Sequence, residues 1–305
     1  MNDTQHSPAW RGIFPSLPTP FTDSGDIDLA AQREVTRFAL DQGSHGLICF
    51  GLAGEVFRLT PDERIELLRV IVAETNGAVP VLAGVGTEAT HGSVRLAKAA
   101  AEAGADGLVV PPPLTSPASK PALIRYFQEI AAATDLPVMI QDAPEYLTVE
   151  LGPEVVAEML ESIPNLAAVK LEVGANGLAS WVSAFGDRVK LFCGSGGLYL
   201  LDCLEQGAAG VAPGVDLVDQ LVDIYELWSS DRRPEARERM RAVLSMLVFQ
   251  MQTIEHYNAT AKYVLCKRGV LSVGQMREPA VQLDDVCKTL LDRHMAELGL
   301  SAITS

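Results

Sequence analysis

Short apolar runs alternate with longer stretches of mixed polarity along most of this chain. Eight runs stand out, at residues 12–17, 46–50, 79–83, 107–110, 138–141, 166–171, 189–193 and 209–212. Each is rich in Val, Ile or Leu and short enough for a strand buried on both faces, as parallel strands are. The segments between them carry helix signals. Thr60-Pro61-Asp62-Glu63 combines an N-cap, a proline at the first helical position and the acid of a capping box, and Ile65, Leu68 and Val72 follow at helical spacing. Ala99, Ala100 and Ala103 close another helix, which Gly104-Ala105-Asp106-Gly107 turns into the next run; Gln42-Gly43 and Gln206-Gly207 read as helix stops.

Eight β–α units in series, roughly 25–35 residues apart, predict an α/β fold of the (β/α)8 TIM-barrel kind. A doubly wound sheet rarely needs eight units, and no reversal of strand order is legible here. After Trp228 the pattern is helical only, with candidate helices at 234–252, 259–267 and 283–298. No stretch is long and polar enough to divide the chain. The expected arrangement is a barrel over residues 1–230 carrying the site, with a C-terminal helical extension over 231–305 packed on it as one unit.

Composition narrows the function classes. At 305 residues and 48% hydrophobic the chain can bury a large core. A net charge of −15 gives no basic footprint to neutralise phosphates, so no nucleic-acid partner is expected. No run of about eighteen apolar residues predicts a membrane span, and residues 1–10 lack the apolar stretch of a signal peptide. Five cysteines stand singly with no C-x-x-C, the pattern of reduced thiols in a cytoplasmic protein.

In a barrel of this kind chemistry sits at the C-terminal ends of the strands. There the sequence places Gly51-Leu52-Ala53-Gly54-Glu55, Gln141-Asp142, Lys170-Leu171-Glu172, Gly194-Ser195-Gly196-Gly197 and Pro213-Gly214. Lys170 is the most informative. An ammonium held in apolar surroundings loses hydration, which favours the neutral amine that attacks a ketone to form an imine. Position alone equally allows a lysine snorkelling to solvent or paired with Glu172 or Glu55. Glu55 reads either as a proton-transfer group or as a loop carboxylate capping an amide. The glycine-rich run from Gly194 suits a phosphate or the close approach of any small ligand. Gly84-Val85-Gly86 lacks the third glycine and the downstream acid of a dinucleotide turn. The five histidines show no pairing at ligand spacing, and no G-x-S-x-G elbow occurs.

Taken in order, Pro18-Thr19-Pro20-Phe21 with Gly25 and Asp28, Gly51-x-x-Gly54-Glu55 with Leu59-Thr60-x-x-Glu63-Arg64, Pro80-Val81-x-Ala83-Gly84-Val85-Gly86, Gly104-Ala105-Asp106-Gly107 and Val169-Lys170 resemble the dihydrodipicolinate synthase / N-acetylneuraminate lyase family of Schiff-base aldolases and dehydratases. The resemblance runs from Gly12 to about Leu271. It implies a barrel with C-terminal helices, a homotetramer, and an imine between Lys170 and pyruvate or another 2-keto acid, with no cofactor and no metal. The departures bear on substrate. The proton-relaying tyrosine of the family's Tyr-Asn-x-Pro sequence is matched by Gln141 in Gln141-Asp142-Ala143-Pro144. The hydroxyl pair inside Gly-x-x-Gly-Glu is replaced by Leu52 and Ala53, the arginine after the strand-five motif by Tyr146, and the aromatic pair after strand four by Pro113-Leu114. Synthase activity is therefore not expected. The strand-five segment, Val169-Lys170-Leu171-Glu172 and Gly12-Ile13-Phe14-Pro15 look like the branch containing 2-keto-3-deoxy-L-arabonate dehydratase.

The expected site consists of Lys170, Glu55 and Gln141 as catalytic groups, with Glu55 moving protons and Gln141 orienting a hydroxyl or water. Substrate contacts are expected from Gly51, Leu52, Ala53, Asp142, Glu172, Gly194, Ser195 and Gly214. The expected reaction dehydrates a 2-keto-3-deoxy sugar acid. A pyruvate-dependent aldolase and a non-catalytic 2-keto-acid-binding barrel are the alternatives.

Overall fold

The computed structural model describes residues 8–115 and 118–300. The leaderless reading of the N-terminus therefore falls largely on residues 1–7, outside the described part. Eight strands, β1 (Gly12–Ile13), β2 (Leu47–Cys49), β3 (Val81–Gly84), β4 (Gly107–Val110), β5 (Val138–Asp142), β6 (Leu166–Leu171), β7 (Lys190–Cys193) and β8 (Gly210–Val211), pair in parallel around one sheet. Strand β1 pairs with β8, and the ring closes on β2 where Ser16 bridges Ile48 and the Ile48 amide donates to Pro15 O at 2.9 Å. All eight apolar runs become strands. The first is shorter than its run because Pro15 and Pro18 have no N–H to give the ladder.

Alternation along the strands builds two cores. Phe14, Ile48, Leu82, Val109, Met139, Ala168, Phe192 and Ala212, one from each strand or its continuation, cluster together inside the barrel. Their neighbours in sequence, among them Leu47, Val81, Leu108, Val138, Val169, Leu191 and Val211, belong to the larger core between barrel and helices. Two residues further along each strand, the inward positions reach the barrel mouth: Ser16, Phe50, Gln141, Lys170, Gly194 and Gly214.

The outer layer comprises α1 (Leu29–Asp41), α2 (Pro61–Thr75), α3 (Thr90–Glu102), α4 (Lys120–Ala131), α5 (Gly152–Ser162), α6 (Ala175–Phe185), α7 (Leu200–Glu205) and α8 (Val218–Ser229). Helix α2 starts on the anticipated capping box, with Thr60 and Glu63 bonding each other's backbone amides. The C-terminal helices are α9 (Arg233–Gln250), α10 (Ile254–Lys267) and α11 (Asp285–Glu297). Helix α10 begins five residues earlier than its sequence pattern suggested, because Thr253 caps it by accepting from His256 N at 3.0 Å. That extra turn carries Tyr257 and Asn258 to the barrel mouth. Among the described residues no helix is long and apolar enough to cross a membrane, and all five cysteines are free thiols.

Candidate active site

Lys170 and Glu172 lie two residues apart, so the alternation that turns Ala168 inward turns both of them inward too. Both are buried, and Lys170 Nζ lies 2.9 Å from Glu172 Oε1. The second carboxylate oxygen, Oε2, accepts the Ser195 backbone N–H. Ser195 holds that amide in place with φ of 50°, a left-handed conformation uncommon for a residue with a side chain. Beside it, Gly194 is bare because a Cβ there would overlap the Glu172 carboxyl group. Strand β7 thus gives up a side chain to seat a carboxylate against the lysine of β6.

Across the barrel mouth from this pair lies the loop after β2, where Leu52–Gly54 form a single 3-10 turn. The first amides of such a turn have no carbonyl of their own to bond and face outward as donors. Leu52 and Ala53 line the same recess as Lys170, Glu172, Tyr146 and Tyr257. Tyr146 is pushed up from the usual phenol range by burial and by the Glu172 charge, so its hydroxyl keeps its proton. Tyr257 donates to Asp216 Oδ1 at 2.7 Å and packs on Gly214, where a Cβ would fall on the phenol oxygen.

Three sequence assignments change. Glu55 is buried, but it does not reach the recess: its Oε1 lies 2.5 Å from Lys262 Nζ, and its Oε2 accepts Arg277 N–H at 3.2 Å. Both oxygens are held from the C-terminal segment, so Glu55 anchors the carboxyl end of the 3-10 turn. One helical turn before Lys262, Asn258 Nδ2 donates to Leu52 O at 3.1 Å and grips the other end. Asp142, expected as a substrate contact, follows the inward Gln141 and therefore points outward. There it accepts from the Leu151 and Gly152 amides at 3.1 and 3.2 Å and ties down the start of α5; burial raises its pKa. Ser195 contributes its backbone amide to Glu172, and Gly196, not Ser195, lines the recess.

Gln141 sits in register with Lys170 across β5 and β6 and is 2% exposed, with no hydrogen-bond partner for Nε2 among the described residues. It lines an adjoining hollow that shares Leu52 with the first. Gly51 is the cap of the 3-10 turn and lines this second hollow as well. Sequence reasoning passed over Ser16, Tyr146 and Tyr257 as site residues. The inward phase of the first strand points to Ser16, whereas no local signal brings Tyr257 from α10, more than forty residues after the last strand. No group of three His, Cys, Asp or Glu placed to hold a metal occurs among the described residues.

The sequence model of the dihydrodipicolinate synthetase family matches residues 9–297. An uncharacterised DapA-like lyase of Halobacterium salinarum is 33% identical over 95% of this chain and 94% of its own length. L-2-keto-3-deoxyarabonate dehydratase of Azospirillum brasilense is 31% identical over 91% of each. Among solved structures, the prophage protein YagE of Escherichia coli K12, a dihydrodipicolinic acid synthase family member in complex with pyruvate, superposes with a TM-score of 0.91 at 25% identity, covering 95% of this chain and 99% of that one.

Proposed function

The chain belongs to the dihydrodipicolinate synthetase family and is a carbon–oxygen or carbon–carbon lyase, and from that premise we propose that it dehydrates a 2-keto-3-deoxy sugar acid through an imine on Lys170. The observation that carries the proposal is the Lys170–Glu172 contact of 2.9 Å inside the barrel mouth. An ammonium is no nucleophile, and Glu172 is placed to take its proton. The freed amine attacks the C2 ketone, and Glu172 returns the proton to the carbinolamine hydroxyl, which leaves as water to give the protonated imine and a free carboxylate. That cation draws electrons from C3, so the same carboxylate can remove a C3 proton and return one to the C4 hydroxyl as it leaves as water. Tyr146 donates to a substrate oxygen, and the outward amides of Leu52 and Ala53 receive the substrate carboxylate.

Dehydration is preferred to aldol cleavage because of Gln141. Cleavage between C3 and C4 needs a base on the C4 hydroxyl, and an amide has no basic form near neutrality. The 31% identity to a 2-keto-3-deoxyarabonate dehydratase points the same way. Assembly as a homotetramer belongs to the same proposal and rests on family membership; light scattering should give a mass well above the 32.7 kDa of one chain.

The test is borohydride reduction in the presence of pyruvate, followed by peptide mapping, together with NMR of products from 2-keto-3-deoxypentonate. One reduced adduct on Lys170 and a dehydrated product are expected. An adduct on Lys262 or Lys190 would overturn the imine assignment. Stoichiometric pyruvate plus an aldehyde would make the protein an aldolase.

A further inference from the structure

The hollow beside Gln141 says something about the substrate's far end. It lies over the ends of β2 to β5 and adjoins the Lys170 recess across Leu52. Its walls are Phe50, Val56, Phe57, Pro111, Pro112 and Leu114, with Thr87 and Gln141 as polar neighbours. The Thr87 hydroxyl is already used, donating to Ala89 O at 2.8 Å with Ser93 Oγ at 3.0 Å. That leaves the Gln141 amide as the polar side-chain group with a spare donor among the described lining residues.

Such a lining is ill suited to a polyol. Each hydroxyl buried against hydrocarbon without a partner loses its hydrogen bonds to water and regains none. A chain with one oxygen near Gln141 and hydrocarbon beyond it loses little. Because Gln141 is in register with Lys170, a chain bonded at C2 to that lysine passes the amide as it enters the hollow.

We infer that the preferred substrate, on the Schiff-base reading given above, is a 2-keto-3-deoxy acid whose chain ends in a methyl or other hydrocarbon group, with Leu114 and its apolar neighbours as the specificity wall. For a six-carbon, 6-deoxy acid the chemistry balances with no added reagent. The C3–H and C4–O bonds break, water departs, and migration of the new double bond turns the C5 carbinol into a ketone. The product is a 2,5-diketo acid.

The experiment compares kcat/KM for 2-keto-3-deoxyhexonate and its 6-deoxy counterpart of the same C4 and C5 configuration, in the wild type and in Leu114→Asn. Pyruvate trapping on Lys170 is run alongside. The 6-deoxy acid should be turned over about tenfold or more better, the scale of one buried hydroxyl left unpaired, and Leu114→Asn should shrink that ratio to roughly threefold or less. Trapping on Lys170 with equal or better use of the fully hydroxylated acid, or a ratio indifferent to Leu114→Asn, overturns this inference while leaving the Schiff-base reading intact. Absence of trapping overturns both.

Discussion

Lys170 Nζ and Glu172 Oε1 stand 2.9 Å apart, and Glu172 Oε2 is held by the Ser195 amide. A lysine and a carboxylate two residues apart on a strand share a face by necessity, and here that face is the barrel interior. The pair is more than a neutralised buried charge, because it opens on the recess shared with Tyr146 and the 3-10 turn. Glu172→Gln should therefore lower kcat by about two to four orders of magnitude, the usual weight of a general acid–base group. The pyruvate adduct on Lys170 should still form, more slowly. Rapid steady-state turnover by this variant would remove Glu172 from the mechanism.

The bare position at Gly194 gives an independent check of the same carboxylate. Gly194→Ala places a methyl group where the Glu172 carboxyl sits, so the carboxylate must swing away from Lys170. Activity should fall nearly as far as in Glu172→Gln with far-UV circular dichroism unchanged, and the urea midpoint should drop because the buried Lys170 ammonium loses its carboxylate. A fully active Gly194→Ala enzyme would show that the carboxylate has another productive position.

The barrel was legible in the sequence because its strands are covered on both faces, so Val-, Ile- and Leu-rich runs mark them without any need for alternation. Alternation became informative only once the strand ends were known. It then separates Gln141 from Asp142, which sequence reasoning had grouped together, since successive side chains on a strand cannot both enter the barrel. The setting of Glu55 was hidden for a different reason. Its partners Lys262 and Arg277 come from more than two hundred residues away, and nothing near the Gly-x-x-Gly-Glu motif announces them. Tyr257 was invisible on the same grounds. Family resemblance singled out Lys170, whereas the groups around it depended on contacts that only folding creates.

Glu55 now makes a prediction about stability. Removing its charge strands the Lys262 ammonium, which is 1% exposed, lies 2.5 Å from the carboxylate and sits 4.5 Å from the Phe21 ring centroid. Burial pulls the Lys262 pKa down, with the Glu55 charge opposing that shift. Glu55→Gln should cost about 3–5 kcal/mol, the usual penalty for one orphaned partner of a buried pair. The double variant Glu55→Gln, Lys262→Met should recover part of that loss. Urea unfolding of the two single variants and the double variant measures the coupling, and strictly additive losses would dismiss it. Because Lys262 and Asn258 grip the two ends of the 3-10 turn, Asn258→Ala should raise KM for the keto acid more than it lowers kcat.

The last expectation concerns acid. Glu63 closes the capping box of α2 and also pairs with Arg277, with Nη2 2.6 Å from Oε1 and Nη1 2.9 Å from Oε2. The Arg277 hydrogen bonds, helped by the Thr60 amide and hydroxyl and opposed by partial burial, pull the Glu63 pKa from 4.5 down to about 2. A carboxylate held below its unfolded pKa stabilises the fold at all pH values above the unfolded one. That contribution drains away as the pH falls and the unfolded chain takes up the proton first. Between pH about 4.5 and about 2 the wild type should accordingly lose stability more steeply than Glu63→Gln, which carries no titrating group there. Above pH 5 the wild type should be the more stable by a constant margin, since Glu63→Gln lacks the charge that Arg277 needs. Urea midpoints at half-unit pH steps test both halves, and parallel curves for the two proteins through the acid range would mean that Arg277 does not hold Glu63 ionised.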